Sequence, residues 1–273
     1  MGTGKGGWLE PKPMTLQQRA PRWPRLTAVV LALAVIIFLL SIALSPASLL
    51  GKADRVGYAI CHQIPERSFS LPSGRPLPLC ARCTGTYLGA ILGLTAMLLL
   101  GRQRASRMAP VSVLFVLILF VGFWAFDGLN SYMTFFPSGP HLYEPQNWLR
   151  LTTGMLNGLA LIIFVLPVYN FTLWRDPAEE RVIKNIWELI AILPVVASLV
   201  LVIQAEIGFL LYPLAILSTL GVLMMLILIN SMLGAVLLGR EGYALTFRQA
   251  LVPLRVGLAL ALLELAAIGL LRD

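Results

Sequence analysis

The sequence predicts an all-α fold: a polytopic transmembrane helix bundle of about seven spans, with the N-terminus inside and a folded, cysteine-rich outer loop. Composition comes first, because 58% of the 273 residues are hydrophobic and only 12% are charged, against about a quarter charged in soluble domains. The apolar residues also fall into blocks long enough to cross a bilayer, which takes roughly 20 helical residues. Basic residues, finally, gather beside alternate ends of those blocks, the bias that orients membrane proteins.

Residues 1–25 read as a basic cytoplasmic tail, rich in Gly and Pro and without apolar periodicity, expected to be disordered. Span one, 26–44, follows Lys5, Lys12, Arg19, Arg22 and Arg25. That charged start resembles a secretory signal, but its 19 uninterrupted residues exceed the roughly 7–15 of a signal's apolar region, so it reads as a retained helix. A loop at 45–83 precedes span two at 84–100, span three at 111–130 and span four at 148–168. Spans five, six and seven are expected at 187–205, 212–238 and 250–271. The chain thus divides into the tail, a four-span membrane domain with a Cys/His loop at 26–168, and three further spans within 169–273. It belongs in the cell membrane as a multi-pass protein, with the lipid bilayer as its first partner.

An internal N-terminus places Arg102, Arg104, Arg107, Arg175, Arg181, Lys184, Arg240 and Arg248 inside with the tail. Lys52, Arg55, Arg67, Arg75 and Arg82 then lie outside, so the cysteine loop has its own reason to be basic: a folded site that attracts anions. The formal charge of +8 does not point to nucleic acid, because the cations sit beside hydrophobic blocks without a basic helix or aromatic stacking motif. The oligomeric state has no signature in the sequence.

All three cysteines fall in one outer loop, as Cys61-His62-Gln63-Ile64-Pro65-Glu66-Arg67-Ser68-Phe69 and Leu79-Cys80-Ala81-Arg82-Cys83-Thr84-Gly85. Span three ends with Asp127 and Asn130 on one helix face, and span four begins with Asn147 and Arg150, making Asp127 and Arg150 natural ion-pair partners over the same cavity. Gly85, Gly89 and Gly93 on span two, and Gly154 and Gly158 on span four, form stripes that let helices approach closely.

These residues resemble an uncharacterised family of bacterial and archaeal membrane proteins, a domain of unknown function. The likeness covers 61–69, 77–89, 127–128 and 147–158, about a hundred residues from first to last, and does not extend to spans five to seven. Two positions depart from it: Asn130-Ser131 stand where the family commonly has Gln, and Pro145-Gln146-Asn147 where it usually has Ser-Asn-Asn. The resemblance implies no activity, so the chemistry rests on residue types.

Cys80-x-x-Cys83 has the spacing with which two thiolates grip one metal ion, and Cys61 and His62 complete a Cys₃His set for zinc. Adjacent residues seldom both reach one tetrahedral ion, so His62 reads either as a ligand or as a base beside the site. An iron–sulfur cluster held by thiolates needs a fourth cysteine, and haem c needs Cys-x-x-Cys-His; the chain has neither. The competing reading is a thiol–disulfide oxidoreductase linked to quinone, with Cys61 attacking or resolving a Cys80–Cys83 disulfide. Three thiols leave one unmatched in such a relay, and the bland alternative is a static disulfide pinning the loop.

As an enzyme, the chain would use His62, Asp127 and Arg150 as catalytic groups and Arg67, Arg82, Asn147 and Asn130 to bind a lipid or small anionic substrate. A transporter or ion-binding protein is the other class, although no inverted repeat or paired broken helices support it. Among lesser signals, Glu264 is an ionisable residue within span seven, and Gln204 and Glu206 lie near the outer cavity. Glu188 falls at the inner boundary, and His141 beside Glu144 is a possible further ligand but more often a solvated loop residue. Trp148, Trp174 and Trp187 suit an interfacial belt, and Met224 and Met225 suit packing. Asn170-Phe171-Thr172 matches a glycosylation acceptor on the wrong side of the membrane.

Overall fold

The computed structural model describes residues 48–136 and 139–272, with isolated positions 32 and 36. The tail expected at 1–25 and, those two positions apart, span one lie outside the described residues. The remainder is a bundle of seven helices: α1 (Leu49–Ile60), α2 (Ala81–Leu99), α3 (Val111–Met133), α4 (Asn147–Leu173), α5 (Ile186–Gln204), α6 (Gly208–Leu237) and α7 (Phe247–Arg272). Six of them, α2 to α7, are long and apolar enough to cross a membrane, matching expected spans two to seven.

The boundaries shift in instructive ways. Helix α2 starts three residues before the expected 84, because Cys80 sits extended at its N-cap and places Cys83 inside the first turn. Helix α4 runs past the expected end at 168 with Pro167 inside it, a breaker that membrane helices tolerate when neighbours take up the freed groups. The 45–83 segment is not wholly loop. Ser48 caps α1 by accepting the Gly51 N–H at 3.1 Å, and Leu50, Ala53 and Gly57, spaced three or four apart, are buried where α1 meets α6 and α7.

Helix α4 is the central post, with Leu151, Met155, Leu159 and Ile162 inaccessible to solvent. Its tightest partner is α2, and the expected glycine stripes are the reason. A Cβ on Gly85 would lie 2.3 Å from the Leu151 carbonyl oxygen, and one on Gly158 would lie 1.8 Å from that of Thr86. Only hydrogen fits at such contacts, so two parallel helices meet backbone to backbone and their thiol-side ends are locked in register.

On the face away from the thiols, the connectors form a feature that the sequence reading did not foresee. Strands β1 (Ala105–Arg107) and β2 (Ala178–Arg181) pair in parallel. Behind them Arg102, buried, reaches both oxygens of Glu188 at 2.5 and 2.8 Å and the Val182 carbonyl at 3.1 Å. Asn170 is fully buried and donates to the Ala105 carbonyl at 2.8 Å, so the glycosylation-like motif is a structural joint. Trp187 is exposed and Trp148 partly so, as interfacial residues are, whereas Trp174 is buried beneath Phe247 and the Arg104 guanidinium.

Candidate functional site

The three thiols come together at one end of the bundle. Helix α1 delivers Cys61 at its C-terminus, where the Cys61 N–H still donates to the Gly57 carbonyl at 2.8 Å. The intervening chain doubles back through a short antiparallel bridge, Ser70 to Pro76, and arrives at Cys80. Gln63 fastens this loop with a positive φ of 49°, its Nε2 donating to the carbonyls of Asp54 at 3.2 Å and Pro78 at 2.9 Å. Gly57 is obligatory here, because a Cβ would stand 2.0 Å from the Pro78 carbonyl oxygen.

The Cys80 N–H then donates to Cys61 Sγ at 3.3 Å, and Cys83 packs against the same pair. The Cys61 and Cys80 sulfurs and a ring nitrogen of His62 all lie within 4.8 Å of one another. Cys61 and Cys80 are buried, walled by Leu79 and by Val222 of α6, with Tyr87 and Leu226 packed behind. Helix α6 therefore contributes to the nest, a role that the sequence did not assign to spans five to seven.

Electrostatically the nest favours one thiolate. Donation from Cys80 and Cys83 draws Cys61 far below an ordinary thiol, and acting as donor to Cys61 pushes Cys80 up. His62 is exposed at its outer edge, and its Nδ1 accepts the Ile64 N–H at 3.1 Å. Displaced water pushes its pKa below the ordinary imidazole value; Cys61 opposes that shift, and Arg67, Arg82 and Arg150 reinforce it. The imidazole is accordingly neutral at pH 7.

Beside the thiols three guanidinium groups converge. Arg82, on the first turn of α2, pairs with the Asp127 carboxylate and donates to the Asp127 carbonyl and the Ser131 hydroxyl, both at 3.1 Å. Arg150 Nε donates to the same hydroxyl at 3.2 Å, and its Nη1 to Asn147 Oδ1 at 2.8 Å. Arg67 donates to the Ser131 carbonyl at 3.1 Å and to Thr134 Oγ1 at 3.2 Å, with its guanidinium 4.0 Å over the Phe135 ring. The expected Asp127–Arg150 pair is thus replaced. Arg82 takes the carboxylate, and Arg150 reaches the cluster one turn further along α3 through Ser131.

Asp127 is 1% exposed and also accepts from the Tyr143 hydroxyl at 2.9 Å, so both its oxygens are engaged. Arg82 Nε is buried without a hydrogen-bond partner among the described residues. Arg67 and Arg150 are held by neutral oxygens and, among the described residues, form no ion pair of their own.

The two asparagines expected to touch substrate are both hydrogen-bonded within the protein. Asn130 clamps the loop before α4, donating to the Tyr143 carbonyl at 2.9 Å and accepting the Leu142 N–H at 2.7 Å. Asn147 donates to the Glu66 carbonyl at 3.2 Å, securing the turn that carries Arg67, while it orients Arg150. Ser131, Tyr143 and Gln63 escaped the sequence reading as site residues. Ser131 was accessible to it, lying four residues after Asp127 on the same helix face. Tyr143 and Gln63 carry no local pattern.

Arg272 at the end of α7 is a further surprise. It donates to the carbonyls of Tyr58 and, at 2.9 Å, Cys61, with its guanidinium 4.6 Å over the Tyr58 ring. His141 stays at the surface with Glu144, 3.0 Å away, and Gln204 and Glu206 are exposed, so the structure does not bring these three to the thiols. Glu264, exposed on α7, accepts from Asn230 at 2.8 Å, and Met225 packs in the core.

Residues 61–164 match the family described as "Predicted membrane protein (DUF2085)". An uncharacterized protein of Methanothermobacter thermautotrophicus is 33% identical over 104 residues, covering 38% of this chain and 82% of that one. An uncharacterized protein of Methanocaldococcus jannaschii is 27% identical over 152 residues, covering 51% of this chain and 90% of that one. No solved structure matches the chain. The chain belongs to the DUF2085 family of membrane proteins.

Proposed function

For this member of the DUF2085 family, we propose that Cys61, Cys80 and Cys83, with His62 as fourth ligand or neighbouring base, hold a zinc ion at the outer membrane face. The site would serve a membrane-embedded enzyme acting on a lipid or small anionic substrate. The observation that carries the reading is the convergence of Cys61 and Cys80, 19 residues apart, with a ring nitrogen of His62, all within 4.8 Å of one another. The donor set fits: soft sulfur from a Cys-x-x-Cys pair suits zinc, and the Cys80 N–H aimed at Cys61 Sγ is the kind of donor that steadies a metal thiolate. When bound with an open position, such an ion supplies a water acidic enough to react near neutral pH.

The chain's own residues do the rest. Arg67, Arg82 and Arg150 outnumber their one carboxylate, Asp127, and attract an anionic group to the edge of the thiol nest. Asp127, with its oxygens engaged by Arg82 and Tyr143, holds Arg82 in place. His62, neutral and exposed with Nδ1 accepting the Ile64 N–H, presents its Nε2–H at the edge of the nest as a hydrogen-bond donor for a bound anion.

Metal analysis of the purified chain, paired with thiol counts before and after reduction, tests this reading. It expects one zinc per chain, no reducible disulfide, and loss of zinc in Cys83→Ala and Cys80→Ser. A metal-free protein with a reducible pair would replace it with thiol–disulfide exchange. Zinc at the wild-type level in both variants would remove those cysteines from the ligand set.

A further inference from the structure

At the end of the bundle away from the thiols, α2, α4, α6 and α7 line an open cleft of about 290 Å³. Its walls are apolar, formed by Leu94, Leu98, Leu166, Leu228, Leu251 and Leu254. Leu98 and Leu251 are half exposed on the surfaces of membrane-length helices, so the opening faces lipid. Two features are out of keeping with a packing defect. Tyr169 lines the cleft at 7% exposure, and its hydroxyl has no hydrogen-bond partner among the described residues. At the rim stand the exposed side chains of Arg248 and Gln103, beside Trp174, whose ring carries the Arg104 guanidinium at 3.9 Å.

The polar groups are stacked in depth. Tyr169 lies five residues before Trp174 on α4, about 7.5 Å deeper into the membrane at a helical rise of about 1.5 Å per residue. A ligand for this site needs a negative or strongly polar group at the interface, a hydrogen-bond acceptor a few ångströms deeper, and an apolar chain beyond it. That is the order of phosphate, ester carbonyl and acyl chain in a phospholipid, and basic pockets between membrane helices are known to take anionic headgroups. The geometry points to a binding site for an anionic phospholipid of this leaflet, with its phosphate at Arg248 and Gln103, an ester carbonyl accepting from Tyr169, and one acyl chain between α2 and α7. This site stands apart from the thiol nest and does not depend on the zinc reading.

Native mass spectrometry of the full chain, washed in detergent and titrated with phosphatidylglycerol or phosphatidylcholine, is the test. The site predicts one tightly held lipid per chain, with phosphatidylglycerol favoured. Arg248→Gln should reduce that preference about fivefold, the contribution of one arginine near anionic lipid. Tyr169→Phe should weaken both lipids by a similar factor of about five, as loss of one buried hydrogen bond does, and Leu98→Trp should exclude both. Adducts that are absent, or identical in wild type and variants, would overturn the assignment. So would a co-purifying isoprenoid quinone in place of phospholipid. Arg248 is exposed, so its variant decides the matter even where Leu98→Trp fails to fold.

Discussion

Away from the thiols the buried arginine, Arg102, meets Glu188 through two bonds of 2.5 and 2.8 Å, so one cation answers one anion. On the thiol face Arg67, Arg82 and Arg150 gather around Asp127 alone, and two of them rest on neutral hydroxyl, amide and carbonyl oxygens. The first arrangement is a closed clasp that joins the β1 connector to α5. The second retains positive charge in a largely buried place, which is costly unless something negative comes to it. A thiolate at Cys61 is one such charge. The anionic substrate proposed above would be another, and the contrast between the faces is the physical basis for looking for it here.

Asp127→Asn strikes the cluster hardest, because it leaves three guanidinium groups without their carboxylate. Denaturant unfolding in detergent should show a loss of ~3–5 kcal/mol, the range for breaking a buried pair. A loss below ~1 kcal/mol would mean that a bound anion or the thiolate already neutralises the arginines. Arg102→Met should cost less, about 2–3 kcal/mol, because Glu188 retains some access to water. The double variant with Glu188→Leu should recover most of that loss if the pair is only a clasp, and continued instability would show that Glu188 does more.

Gly158→Ala would press a methyl group onto the Thr86 carbonyl and cost ~1–3 kcal/mol as an overpacked contact. Because the same seam sets Arg82 beside α3, zinc content should fall with stability; unchanged zinc would separate the seam from the site. Arg107→Ala, at an exposed pair with Glu179, should stay within ~0.5 kcal/mol of wild type by thermal melting. A larger loss would promote the surface pair to part of the clasp.

The features legible in the sequence are those with local periodicity or unusual composition. Apolar blocks gave away α2 to α7, and the four-residue spacing of Gly85 and Gly89 and of Gly154 and Gly158 announced the α2–α4 seam, because a stripe of missing side chains has few other uses. The clustering of the cysteines was visible for the same reason. The choice of partner for Asp127 was not, because Arg82 and Arg150 are both within reach of that end of α3, and only the close α2–α4 packing decides between them. Helix α1 hid in a segment too polar to read as a span, and the loop-pinning bonds of Asn130 and Asn147 were not legible because amides pin loops and bind ligands with the same atoms. Tyr143 reaches its partner from an irregular loop and Arg272 from 211 residues away, where no spacing rule applies.

Arg272 has a practical corollary. With its guanidinium against the backbone of Cys61, the end of α7 emerges beside the sulfurs, so a polyhistidine purification handle fused there would deliver a string of imidazoles to the very atoms whose metal content is being assayed. Such a preparation would carry nickel or zinc of its own making, and an affinity handle placed elsewhere, or one cleaved before analysis, gives the cleaner measurement.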